Sequence, residues 1–141
     1  MLLPAIQVPS LVRMKPGALD RMGIYLERDK LRRVAVLYSA GLLERLMERL
    51  NRSLSESRIE ATVSLAVAEA SFEAATECLA GMPANVEAIV GMGGGRALDV
   101  AKYVAFLANV PFFAVPTSLS NDGFCSPQSS LTVRTHRRSP H

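Results

Sequence analysis

The sequence predicts an α/β fold in which a parallel sheet carries helices on both faces, and three observations lead there. Apolar or β-branched runs alternate with amphipathic segments, the pattern of strands joined by crossover helices. One of these runs leads directly into a cluster of glycines. The chain has 141 residues, of which 49% are apolar and 21% charged, enough for a single domain with a hydrophobic core of its own. Right-handed crossovers place helices on both faces of such a sheet, and ligands bind outside the carboxyl ends of its strands. The loops to examine are therefore those after Ser39, Val90 and Val115.

The elements follow in order. Ala18 to Glu27 reads as a helix with Leu19, Met22, Gly23 and Leu26 on one face. Arg33 to Ser39 is the first clear strand. Beyond Gly41, residues Leu42, Leu43, Leu46, Met47, Leu50 and Leu54 recur at helical spacing opposite Glu44, Arg45, Glu48 and Arg49, which predicts a helix with one buried side. Ile59 to Val67 is the second strand, with Val63, Leu65 and Val67 alternating. Ser71 stands where an N-cap would precede the helix FEAATECLAGM, and Gly81 and Pro83 end it. Val86 to Val90 is the third strand, Ala97 to Asn109 a further helix, and Phe112 to Val115 the last strand.

Charge and cysteine usage exclude some classes. The net charge of +3 rests on Arg134, Arg137 and Arg138 in the terminal stretch RTHRRSPH, so 134–141 is expected to be a disordered basic tail rather than a nucleic-acid surface. The N-terminal stretch is broken by Pro4, Gln7, Pro9 and Arg13, and no run approaches the ~20 apolar residues of a membrane helix. A cytoplasmic protein without nucleic-acid or membrane partners is expected. Cys78 and Cys125 lack ligand-pair spacing and are expected as reduced thiols.

Gly91-Met92-Gly93-Gly94-Gly95-Arg96-Ala97-Leu98-Asp99 closes the third strand and opens a helix. Glycines packed this densely lower strand and helix stability, and they suit a place where backbone must approach something closely. A phosphate at a helix N-terminus answers that description. The common dinucleotide fingerprint would need glycine where Arg96 stands, and the Gly-Lys-Ser or Gly-Lys-Thr end of a P-loop is missing. A tight turn with no ligand would use the same residues. Asp99 has a simpler role open to it in favouring the helix dipole, and Lys102 reads as a solvated or structural lysine. The second loop, Pro116-Thr117-Ser118-Leu119-Ser120-Asn121-Asp122-Gly123-Phe124-Cys125-Ser126-Pro127, is rich in hydroxyls that could bond a ribose or polyol, and it could equally be a plain surface loop.

Together, GGGRALDVAK and PTSLSNDGFCSP resemble the glycerol-1-phosphate dehydrogenases, within the superfamily that also holds glycerol dehydrogenases, iron-containing alcohol dehydrogenases and dehydroquinate synthases. The resemblance extends to about Val133, and implies a Rossmann-like NAD(P)-binding domain over residues 1–133. It implies cofactor contacts from Gly93, Gly94, Gly95, Arg96, Ala97, Leu98 and Asp99, and from Thr117, Ser118, Leu119, Ser120 and Ser126, with Asp122 on the substrate. The implied reaction interconverts dihydroxyacetone phosphate and sn-glycerol 1-phosphate with NAD or NADP. At the end of the first clear strand, Tyr38-Ser39-Ala40-Gly41 offers no carboxylate to repel a 2′-phosphate, so NADP is expected to be tolerated alongside NAD.

Family members also carry a helical C-terminal domain that supplies an aspartate and two histidines to zinc or a similar divalent ion. Those ligands are not matched in this sequence; His136 and His141 lie in the basic tail and are not assigned to metal. No catalytic residue is assigned either. This chain alone is therefore expected to lack turnover and to self-associate through the surface that would face a second domain. Two other readings are a nucleotide-binding module without turnover and a glycerol dehydrogenase-like polyol oxidoreductase.

Overall fold

A computed structural model describes residues 11–13 and 18–117. Five parallel strands, β1 (Leu11–Arg13), β2 (Arg33–Ser39), β3 (Glu60–Val67), β4 (Ala88–Gly93) and β5 (Phe112–Pro116), form one sheet in the order β1-β5-β4-β2-β3. The helices between them are α1 (Met22–Arg28), α2 (Glu44–Glu56), α3 (Phe72–Ala80) and α4 (Gly95–Ala108). The fold is the Rossmann-like α/β class expected. No helix among the described residues is long and apolar enough to cross a membrane.

Alternation along the strands sorts the core into two layers, as a sheet covered on both faces requires. Val34, Val36, Ala88, Val90, Met92, Phe113 and Val115 pack with Leu19, Met22, Leu26, Leu46, Leu50 and Leu54 of the α1–α2 side. Ala35, Leu37, Ile89, Phe112 and Ala114 pack on the opposite face with Ala75 of α3 and Ala97, Leu98, Val100, Ala101, Val104 and Ala105 of α4. Phe112 and Phe113 are consecutive, fully buried and in different layers. Each such side chain contributes roughly 1.5–3 kcal/mol of burial, so this dipeptide of β5 anchors both helical layers to the middle of the sheet.

Several boundaries differ from the sequence reading. Strand β1 was not expected: three residues between prolines give too short a period to read, and it exists only as a rung beside β5, pairing Leu11 with Phe112. The first helical region is two pieces, a 3-10 turn at Ala18–Arg21 followed by α1. Helix α2 starts at Glu44, so Leu43 precedes it and is 47% exposed rather than buried with Leu46 and Leu50. Strand β4 starts at Ala88 and continues past Val90 through Gly91, Met92 and Gly93, because these pair with Ala114, Val115 and Pro116 of β5. Gly91 belongs to the strand for a packing reason. A Cβ there would lie 2.7 Å from Cβ of Ala101 and 2.9 Å from a ring carbon of Phe112, so only glycine lets α4 settle this closely. Helix α4 accordingly begins at Gly95, two residues before Ala97.

Other local signals hold. Ser71 caps α3, its Oγ accepting from the Ala74 N–H at 3.0 Å. Asn109 ends α4 in the left-handed conformation, with φ 59°. Arg49 donates two hydrogen bonds to Asp20, at 3.0 and 2.9 Å, tying α2 to the 3-10 turn. Cys78 is half-buried and a free thiol, and burial raises its pKa.

At the amino ends of β2 and β4, one carboxylate joins the strands. Glu87 Oε1 accepts from the backbone N–H of Arg32 at 2.7 Å and of Arg33 at 3.0 Å, and the Glu87 N–H donates to the Arg33 carbonyl at 2.7 Å. These hydrogen bonds, with the nearby arginines, hold the carboxyl below the usual glutamate range. A carboxylate lowered in the folded state stabilises the fold fully above its unfolded pKa and loses that contribution as the pH falls through the folded value. Glu87→Gln should therefore lower the melting temperature at neutral pH, and the gap to the parent should close in acid as Glu87 of the parent is itself protonated. A gap that stays constant across an acid series of melting curves would contradict this.

Candidate functional site at the switch point of the sheet

Strands β2 and β4 are neighbours, but the chain leaves them in opposite directions. From β2, helix α2 leads outward to β3, and from β4, helix α4 leads to β5 on the other side. The two helices lie on opposite faces, so a crevice opens between the carboxyl ends of β2 and β4. The residues ringing it are Ser39 from β2, Gly93 from β4, the first turn of α4, and Thr117 just past β5.

The glycines divide into distinct tasks. Gly93 has φ 142°, and a Cβ on it would overlap the side chain of Ser39, so both backbone and space demand glycine. Gly94 and Gly95 are exposed, and a Cβ on either would meet nothing within 4 Å among the described residues. Neither the fold's packing nor a positive φ accounts for these two; they leave the backbone open to an incoming group.

What that backbone presents is a set of donors. Gly94 is the N-cap of α4 and has no side chain to cap it, and the first bond within the helix runs from the Leu98 N–H to the Gly94 carbonyl at 3.1 Å. The N–H groups of Gly95, Arg96 and Ala97 therefore remain at the helix N-terminus with its positive dipole end. The Gly94 N–H itself donates to Ser39 Oγ at 3.0 Å. The Thr117 N–H donates to the Gly93 carbonyl at 2.9 Å, bringing the start of the second loop beside the glycine turn.

The structure thus gathers Gly93, Gly94, Gly95, Arg96, Ala97 and Thr117, expected from sequence, and adds Ser39 through a hydrogen bond across 55 residues. Arg96 is exposed, whereas Ala97 turns its side chain into the core and offers only its N–H. Leu98 is not presented to the crevice in the same way: its side chain is buried, and its N–H closes the helix. Asp99 is exposed on the second turn rather than the first. Ser118, Leu119, Ser120, Asp122 and Ser126, together with Cys125 and the basic tail, lie outside the described residues.

A dinucleotide pyrophosphate fits this cradle, since two open glycines let it reach a row of backbone donors. A metal ion does not find its ligands here: among the described residues no group of three or more His, Cys, Asp or Glu could hold one.

A 44-residue stretch is 57% identical to a glycerol-1-phosphate dehydrogenase [NAD(P)+] of Thermofilum pendens, covering 31% of this chain and 13% of that protein. A 56-residue stretch is 43% identical to an enzyme of the same name from Methanococcus maripaludis, covering 40% of this chain and 17% of the relative. The aligned segments thus span less than a fifth of these relatives' length. Among solved structures, an alcohol dehydrogenase from Oenococcus oeni matches with a TM-score of 0.66 at 15% identity over 82% of this chain and 36% of its own. Glycerol dehydrogenase from Schizosaccharomyces pombe matches with a TM-score of 0.60 at 24% identity over 80% of this chain and 29% of its own. These two share the fold. The model of the iron-containing alcohol dehydrogenases matches residues 13–140, nearly the whole sequence, and the chain belongs to that family.

Proposed function

We infer that this chain is the dinucleotide-binding part of an NAD(P)-dependent oxidoreductase acting on a polyol phosphate, with dihydroxyacetone phosphate and sn-glycerol 1-phosphate as the substrate pair. The observation that carries the binding role is the open first turn of α4. The N–H groups of Gly95, Arg96 and Ala97 lie beside two glycines whose missing side chains leave room for phosphate oxygens. The substrate choice is supported by the names of the aligned relatives.

In this reading, the bound nicotinamide supplies or accepts the hydride. The α4 amides hold the pyrophosphate, with the exposed Arg96 guanidinium adding positive charge at the second helical position. Thr117, held at the Gly93 carbonyl, begins the loop whose Ser118, Leu119, Ser120 and Ser126 would complete the cofactor contacts and whose Asp122 would orient substrate hydroxyls. No step is assigned to a metal, because the described residues do not form its site.

The carboxyl end of β2 also bears on cofactor choice. Tyr38, Ser39 and Ala40 place no carboxylate at the crevice, so nothing in this stretch repels a 2′-phosphate. A calorimetric titration of the 141-residue chain is expected to show binding of both NADH and NADPH; NADH binding with no detectable NADPH binding would reject the dual preference. Failure of both would reject the dinucleotide reading.

A glycine series separates folding from binding. Gly94→Ala and Gly95→Ala meet no neighbour and should change unfolding free energy by no more than about 0.5 kcal/mol, while weakening NADH binding about tenfold by filling space that the phosphates need. Gly93→Ala should be destabilised by about 1–3 kcal/mol, from its positive φ and the overlap with Ser39. Equal NADH affinity in the parent and the Gly95→Ala protein would contradict the cradle.

A further inference from the structure

The backbone ladder between β2 and β4 ends at the pair Tyr38–Met92. One residue further on, a side chain takes over: Ser39 Oγ accepts from the Gly94 N–H at 3.0 Å. The serine is itself firmly placed, since its carbonyl accepts from the Leu42 N–H at 3.0 Å and the next residue, Ala40, donates to the Val67 carbonyl at 2.9 Å. Gly93 leaves its strand at φ 142° with Ser39 filling the space where its Cβ would lie, so turn and hydroxyl fit each other.

The consequence concerns which amides stay available. A helix with no side-chain cap would let its N-terminal turn fray, and the direction of its amides would be averaged. Ser39 fixes the N-cap residue from outside the helix, and it does so without occupying the three following N–H groups. A hydroxyl has one O–H donor and two lone pairs, so a single acceptor bond to Gly94 is within its capacity and carries no net charge that would repel a phosphate.

We propose that Ser39 is a positioning residue of the dinucleotide site: by holding the Gly94 N–H, its hydroxyl keeps the first-turn amides of α4 open and aligned toward a pyrophosphate. The role rests on the dinucleotide reading above. It differs from contact with the adenosine ribose, because it acts through the glycine turn and is felt by any ligand that bears the pyrophosphate. Removing one neutral hydrogen bond corresponds to roughly a three- to tenfold change in an equilibrium.

The test compares the full chain with Ser39→Ala and Ser39→Thr, using NADH, NADPH and inorganic pyrophosphate as probes, with amide hydrogen exchange read at Gly94 in the free protein. Ser39→Ala should speed exchange at Gly94 and weaken all three probes by a common factor of roughly three to ten, and Ser39→Thr, which keeps the hydroxyl, should restore both. Unchanged exchange at Gly94 would overturn the tether. A loss confined to NADH and NADPH, with pyrophosphate unaffected, would overturn the positioning role in favour of a direct ribose contact. If the parent chain bound none of the probes, the dinucleotide reading would fall and this role with it, while Gly94 exchange would still show whether the tether forms.

Discussion

Everything at the candidate site depends on β2 and β4 lying side by side while the chain departs from them in opposite directions. Parallel strands need long crossovers, and a crossover to each side forces α2 and α4 onto opposite faces. Among the described residues nothing then covers the carboxyl ends of the two central strands, and the start of α4 faces the gap. The pair is fastened at both ends, by Glu87 reaching the backbone of Arg32 and Arg33 and by Ser39 reaching Gly94. The crevice is therefore a consequence of topology, and the glycines only tune what its floor presents.

Four glycines within five positions do three different jobs. Gly91 admits Ala101 and Phe112 and so sets the distance of α4 from the sheet. Gly93 makes a turn that an L side chain would strain and that Ser39 already occupies. Gly94 and Gly95 serve no packing need among the described residues. The first two belong to the fold, and the last two make sense through a ligand, which is why substitutions separate them.

Much of the architecture was legible because it rests on local patterns. Strand β2 is a continuous apolar run, the buried face of α2 repeats at Leu46, Leu50 and Leu54, and Ser71 announces α3. What escaped depends on contacts between distant residues. Strand β1 is three residues long and takes its identity from β5, and Leu43 has helical spacing but falls before the first turn. The strand character of Gly91 and Gly93 comes from pairing with β5, which glycine's weak propensity conceals. At the site, the glycine cluster and Thr117 stand out in sequence as candidates. The part of Ser39 does not, because a serine ending a strand carries no sign of a partner 55 residues away.

The central claim is that the open turn of α4 at this crevice receives a dinucleotide. The most direct measurement is amide chemical-shift mapping of the isotope-labelled chain during an NADH titration. The account predicts shifts concentrated at Ser39, Gly94 to Ala97 and Thr117, with Arg32, Arg33 and Glu87 at the opposite end of the sheet unmoved. Shifts centred instead on the outer surface of α3 and α4 around Phe72 and Tyr103, or at the Glu87 end, would contradict it.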